Sequence, residues 1–412
     1  MLGRVECRFA RVETRRRFAG FLAGMLAELP RKNCWTVAEH AGDATPHGMQ
    51  HFLNKAVWDT DEVAADLRGY VIDHLGESDA VLVTDETGDL KKGERTVGVQ
   101  RQYSGTAGRI ENAQVAVYLT YTARTGHAMI DRELYLPRSW AEDPDRRADA
   151  GVPEGIEFAT KPALAASMIT AAVAAGVPAR WVAGDEVYGA DPGLRTRIET
   201  LGLGYVLAIG CNRRVPVHGG PMRPDDIAAA LPERCWQRRS AGAGAKGPRL
   251  YDWAWVALTD ADGPGQRGLL IRRHPGHGEL AFYRCYAPDP VGLPELVRVA
   301  GARWSVEESF QAAKGLTGLD EHQVRRWTSW RRWTLLAMAA HALLAVLAAT
   351  ERAHDPAPAG LIALTCNEIA RLLNRLVIDP ARRIADALTW THWRRRHQHR
   401  ARTSHYRARP ET

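Results

Sequence analysis

Between residues 80 and 210 the chain runs strand, strand, strand, helix, strand, helix, strand, an order that few architectures accept. The run Ala80-Val81-Leu82-Val83-Thr84 is apolar without alternation, as in a strand buried on both faces. Asn112–Ala123 and His127–Leu136 are β-rich and meet at Arg124-Thr125-Gly126, a hairpin signal. Lys161–Gly176 is an alanine-rich helix opened by Pro162; Arg180–Tyr188 reads as a strand, Pro192–Leu201 as a helix and Gly204–Gly210 as a strand. This is an α/β layer.

Acidic residues stand where these elements end. Asp85 follows the first apolar run and Asp185 follows Ala179-Arg180-Trp181-Val182-Ala183-Gly184. Open α/β sheets place ligands at the carboxyl ends of their strands. Asp85 and Glu86 point to opposite faces if both lie in a strand, as do Asp185 and Glu186, so one of each pair enters a cleft. The aspartates, next to the apolar runs, are the expected ones. Arg303–Lys314 reads as a helix with Glu307 at its centre, and Glu307 and Glu308 point about 100° apart. Arg303, Glu307, Gln311 and Lys314 share one face. By itself that stripe suits an exposed, ion-paired helix. Combined with the aspartates it forms an oxygen-donor set, Asp85, Asp185 and Glu307, suited to Mg²⁺ or Mn²⁺. Three carboxylates holding two such ions can activate water and stabilise a leaving 3′ oxygen, with Arg303 and Lys314 on the flanking phosphates.

A chain of 412 residues exceeds what one hydrophobic core usually serves, so two or three domains are expected. Residues 1–78 read as a helical domain. Phe18–Leu29 is amphipathic, and Asp61–Leu75 is a helix with Asp59 or Thr60 placed to cap it. Thr36–Leu53 has the punctuation of a helix-turn-helix: Ala38 inside the first helix, Gly42 at the turn, then Thr45 as cap and Pro46 at the first helical position. His47, Gln50, His51 and Lys55 then face outward, with Gln50, His51 and Lys55 the candidate DNA contacts. Simple helical packing explains the same pattern equally well. His47 and His51 could share a metal at one helical turn, but a polar face toward DNA or solvent is the preferred reading. Residues 79–210 form the first part of the core. Residues 211–290 read as a β-rich insertion, with strands at Tyr251–Leu258, Gly268–Arg273 and Leu280–Ala287, and loops at Gly219-Gly220 and Ala241–Gly247. Helices resume near Pro294 in a C-terminal part of the core, residues 291–378.

Net charge is +7, and the tail 379–412 concentrates it: from Ala381 onward there are nine arginines and four histidines against Asp386 and Glu411. Such a tail suits a polyanion, nucleic acid before membrane, or simply solvates a chain end. Six scattered cysteines lack zinc or disulfide spacing and suit a reducing compartment. The arginine-rich N-terminus is unlike a signal peptide. Trp333–Thr350 carries no formal charge over eighteen residues but is short, alanine-rich and holds His341. A helix buried inside a domain is expected rather than a membrane span. Trp181 and Trp304 are expected to be core aromatics, and Lys91 and Lys92 are minor phosphate candidates.

These motifs resemble bacterial insertion-sequence transposases of the DDE type, in the branch with a Tyr-x2-Arg-x3-Glu-x6-Lys signature. Arg303, Glu307 and Lys314 fit its last three elements, while Ala300 stands at the tyrosine position. Val83–Gly88, Gly98–Gly105, Asp131–Pro137, Gly184–Gly189 and Gly318–Asp320 are similar to stretches of such enzymes, and the likeness spans roughly residues 1–350. The resemblance implies a ribonuclease-H-like core with a β-rich insertion before the glutamate helix. It implies binding of terminal inverted repeats, hydrolysis that frees a 3′-OH, and attack of that hydroxyl on target DNA. It also implies a homodimeric synaptic complex and a cytoplasmic, nucleoid-associated location. Ala300 leaves open whether a DNA hairpin forms. The rival readings are a catalytically silent DNA-binding descendant and a stand-alone metal-dependent DNA endonuclease.

Overall fold

The computed structural model describes residues 1–105, 108–244, 247–259, 263–356, 363–378 and 393. It resolves two compact units, Leu67–Gln311 and Met1–Asp66 with Ala312–Thr412. The divisions fall inside the helices Thr60–Leu75 and Trp304–Thr317, so they differ from the sequence borders at 78/79 and 290/291. Residues 379–412, the basic tail, lie outside the described residues except Trp393.

The unit Leu67–Gln311 is built on one ten-stranded sheet. Its strands are β1 (Val81–Leu90), β2 (Gln100–Ser104), β3 (Arg109–Thr122), β4 (His127–Leu134), β5 (Trp181–Gly184), β6 (Gly204–Ile209), β9 (Gln237–Gly244), β10 (Gly247–Ala257), β11 (Gln266–Arg273) and β12 (Leu280–Ala287), with β7 (Val215–Val217) and β8 (Gly220–Met222) forming a separate ribbon. β1 pairs antiparallel with β3 and parallel with β5, β5 pairs parallel with β6, and β4 adds antiparallel to β3. The spatial order β4-β3-β1-β5-β6, with antiparallel first strands and parallel last ones, is the ribonuclease-H-like topology expected from the sequence. Beyond β6 the sheet continues through β12, β11, β10 and β9.

The apolar runs form strands because both faces are covered. Val81, Val83, Trp181, Ala183 and Val206 pack with Leu296, Val297 and Val299 of the helix Leu293–Ala302. The helix Lys161–Ala174 packs against β1, β3 and β4. Trp181 is fully buried, as expected, and its indole N–H donates to Glu295 at 2.9 Å.

Two local expectations in this unit fail for identifiable reasons. Arg180–Tyr188 is not one strand: β5 stops at Gly184 and Glu186–Gly189 is a helical turn. Asp185 caps that turn, accepting the Val187 N–H at 2.9 Å, and a side-chain cap of this kind competes with strand continuation. Ala241–Gly247 is not a loop throughout, because β9 reaches Gly244 and β10 begins at Gly247. The helix Leu293–Ala302 approaches β9 closely there, since a Cβ on Gly301 would lie 2.1 Å from the Ala241 carbonyl oxygen.

The unit Met1–Asp66 with Ala312–Thr412 is helical where described. The helix Trp327–His354 packs against the helices Val12–Leu26 and His47–Asn54. Phe9, Phe18, Phe21, Phe52, Trp58 and Trp333 join in a ring-on-ring core, with Phe52 stacked on Trp58 at 5.2 Å. Trp327–His354 is long and apolar enough to cross a membrane, but 83% of its most apolar window is buried within the protein, the condition of a core helix. The turn between the helices Cys34–His40 and His47–Asn54 has Gly42 at φ 78°, a conformation glycine adopts freely. Thr45, however, does not cap the second helix: Pro46 holds that position with no side-chain bond. Asp59 does serve as expected, accepting the N–H of Asp61 at 2.7 Å. His47, Gln50, His51 and Lys55 are all exposed.

Candidate active site

The sheet register places the two aspartates side by side. Thr84 pairs with Gly184 as the last rung of the parallel β1–β5 ladder, so Asp85 and Asp185 are the next residues on adjacent strands, whose spacing is about 4.8 Å. β1 runs on to Leu90 against β3 alone, while β5 turns away into its capped turn. The sheet opens where β5 leaves it, at the carboxyl end of the parallel strands, where open α/β sheets place ligands.

Arg303 ties the third acid to the pair. Its Nη1 lies 3.3 Å from Oδ2 of Asp85, and its Nη2 donates to Oε1 of Glu307 at 2.7 Å. Glu307 therefore shares a guanidinium with Asp85. Glu308 faces elsewhere, as the helical angle predicts: its carboxylate lies 3.3 Å from Nε2 of His127. His127 Nδ1 also meets Ser309 Oγ at 2.8 Å, and Thr122 meets Ser305 at 2.6 Å. The β3–β4 hairpin thus braces the helix that carries Glu307 at three points, Ser305, Glu308 and Ser309.

The electrostatics of the aspartate pair are unusual. Burial first, and then the charge of Asp185, push the Asp85 carboxyl up to about 7, against the pull of Arg303. Asp185 is raised as well, by burial and then by Glu86. Both carboxyls are thus pushed toward holding a proton. The Asp85 side chain is only 15% exposed, so water does little to relieve it.

Glu86, the other member of the first acidic pair, is engaged by packing neighbours. Its two oxygens accept from Lys161 Nζ and from the Tyr188 hydroxyl, each at 2.7 Å. Sequence reasoning missed Lys161 and Tyr188. Trp304 is also misplaced by it, being 43% exposed beside Arg249 rather than a core ring. Ala300, at the position of the signature tyrosine, is buried among Leu296, Val297 and Val299. Lys314 lies on the same helix, past the division at 311/312.

Residues 4–234 match the family described as DDE superfamily endonuclease. The chain belongs to that family. It is also 29% identical over 197 residues to the probable transposase for insertion sequence element IS701 of Microchaete diplosiphon. That alignment covers 47% of this chain and 48% of the relative, so the chain spans about half the length of the curated protein it matches. Among solved structures, it is similar to a piggyBac transposase synaptic complex with hairpin DNA, at 11% identity and a TM-score of 0.43, covering 91% of this chain and 74% of that one. Asp85, Asp185 and Glu307 are brought together in this structure by the β1–β5 ladder and by Arg303.

A divalent cation is a fair test of that site. Among the described residues no three His, Cys, Asp or Glu side chains stand as a ready metal cluster. Mg²⁺ does not require one, since it is usually held by one or two carboxylates together with waters and substrate phosphates. Two half-buried aspartates that repel each other's charge supply such a donor pair, and the residues fit.

Proposed function

We propose that this chain is a DNA transposase whose cleavage site is formed by Asp85, Asp185 and Glu307, acting on element-end inverted repeats and joining the freed 3′-OH to target DNA. The observation that carries the reading is the placement of Asp85 and Asp185 one residue beyond a shared rung, with Arg303 linking Asp85 to Glu307. Family membership and the likeness to an insertion-sequence transposase support it.

Asp85, Asp185 and Glu307 are the residues that would hold Mg²⁺ or Mn²⁺, two ions in the full site, with Arg303 free to turn from Glu307 to the DNA. Bound cations supply the charge stabilisation and the activated water for phosphodiester hydrolysis. The chain's own residues do the rest. Arg303, already charged and poised between acids, exchanges a carboxylate for a phosphate oxygen, a charge-assisted bond in either case. Lys314 contacts a neighbouring phosphate. The hairpin brace at His127 and Thr122 fixes the rotation of the helix, so that Glu307 faces the pair. Gln50 and His51, exposed on the helix His47–Asn54, and Lys55 at its C-terminal cap contact the duplex, and the basic tail adds sequence-independent affinity. The protein acts as a homodimer on two DNA ends, in the bacterial cytoplasm at the nucleoid.

The test is a purified nicking assay on DNA carrying the element's own ends, with and without Mg²⁺ or Mn²⁺. Metal-dependent nicking that Asp85→Asn and Asp185→Asn each abolish supports the proposal. Binding without cutting would make the chain a silent DNA-binding descendant. Cutting without joining of a precut end would make it a stand-alone endonuclease.

A further inference from the structure

We propose that Glu86, gripped by Lys161 and Tyr188, is a positioning residue that draws divalent cations to the Asp85–Asp185 pair and fixes the turn carrying Asp185. The inference rests on the cleavage-site reading above and adds to it three residues outside the acid triad.

Glu86 follows Asp85 on β1, and each of its oxygens is engaged. Oε1 accepts from Lys161 Nζ and Oε2 from the Tyr188 hydroxyl, both at 2.7 Å, from residues 75 and 102 positions away in sequence. Lys161 is the first residue of the helix Lys161–Ala174, whose start is fixed by Thr160 capping Ala163 at 3.3 Å. Tyr188 is fully buried and belongs to the turn Glu186–Gly189, which Asp185 caps. The carboxylate therefore anchors the same turn that aims Asp185. That turn is seated tightly, because a Cβ on Gly189 would fall 1.8 Å from the Ala208 carbonyl oxygen on β6. Three elements converge on one carboxylate beside the site.

An ordinary internal ion pair would be silent to its surroundings, its two charges cancelling. Glu86 stands beside both acids: it follows Asp85 directly on β1, and its Oε2 accepts from Tyr188 in the turn that Asp185 caps. Its negative potential at the pair repels an added electron pair and attracts an added cation. Tyr188 supplies direction without charge, and Lys161 tempers the potential. No bond forms or breaks at these three residues.

The experiment measures Mn²⁺ alone binding to the full chain, by calorimetry and by the loss of the free-ion paramagnetic resonance signal, without DNA. Glu86→Gln weakens Mn²⁺ binding about tenfold, the worth of one pK unit of charge interaction, and Glu86→Asp restores most of it. Lys161→Met removes a positive charge and shifts affinity the other way, tightening roughly two- to threefold, as for a partly exposed pair. Tyr188→Phe leaves Mn²⁺ affinity within about twofold but lowers kcat with KM unchanged, because the turn loses its tether. A merely structural grip would move Glu86→Gln and Lys161→Met in the same direction, and that result overturns the inference. So does a Glu86→Gln affinity indistinguishable from wild type. Should Glu86→Gln fail to fold by circular dichroism, the opposite signs expected for Glu86→Asp and Lys161→Met decide the matter. If the wild type takes up no Mn²⁺, the cleavage-site reading itself falls. If it does so and Asp185→Asn abolishes uptake while Glu86→Gln does not affect it, only this inference falls.

Discussion

The two aspartates and the glutamate reach the same place by different physical means. Asp85 and Asp185 are set by a sheet ladder: four rungs from Val81–Trp181 to Thr84–Gly184 fix both strands, and neither acid can move far without breaking the ladder. Glu307 is set by a helix, whose rotation depends on side chains at its surface, Arg303 on one flank and His127 and Thr122 on the other. A sheet-borne site is rigid by backbone pairing, and a helix-borne one is adjustable. The lesson is that cations are expected to bind first at the aspartates, with Glu307 joining as Arg303 finds its phosphate.

The largest effect that could break this contrast is loss of cleavage. Asp85→Asn or Asp185→Asn is expected to lower DNA nicking by at least about 10³-fold, since each removes a donor that no neighbour replaces. Retained nicking in either variant would remove that acid from the site. Next comes Glu307→Gln, expected to cost about 10²–10³-fold in nicking while Mn²⁺ still binds the aspartates with near wild-type affinity. Equal loss of Mn²⁺ binding in Glu307→Gln and Asp185→Asn would erase the distinction between sheet and helix. A smaller change sharpens it. His127→Ala removes two contacts to the glutamate helix, each worth about 1 kcal/mol, and should lower kcat roughly tenfold with Mn²⁺ affinity intact.

The last prediction concerns stability and pH. A carboxyl raised from its ordinary 3.8 to about 7 binds more protons folded than unfolded between those values. Its ionisation therefore opposes folding increasingly as pH rises from about 4, and the opposition is complete above about 7. Asp85→Asn removes it. In chemical denaturation of the metal-free protein, that variant should be more stable than wild type by roughly 1–3 kcal/mol at pH 8. Near pH 4 the two should be indistinguishable. A destabilised variant at pH 8 would mean that the Asp85 carboxylate is well paired rather than frustrated.

How much of this was legible in the sequence follows from the same contrast. Asp85 and Asp185 could be read because each directly follows an uninterrupted apolar strand, a local signal. Glu307 could be read because a helix makes its neighbours at four-residue spacings calculable, and Arg303 does bond it. The failures are non-local. Nothing near Glu86 announces that Lys161 and Tyr188 converge on it. Trp304 looked like a core ring because tryptophan usually is one, yet it lies at a helix start where the sheet does not cover it. The Ala241–Gly247 stretch looked like a loop because glycine and alanine carry little strand propensity. There the strand is dictated by close approach of the helix Leu293–Ala302, a packing demand visible only in three dimensions.

The most direct measurement replaces the bound cation with Fe²⁺ and lets ascorbate and peroxide generate hydroxyl radicals at the site, which cut the polypeptide near whatever holds the metal. The account predicts backbone cuts clustered around residues 85, 185 and 303–307, suppressed together by excess Mg²⁺ and lost in Asp185→Asn. Cuts at only one of those three places, or clustered elsewhere, would contradict the claim that these acids form a single centre.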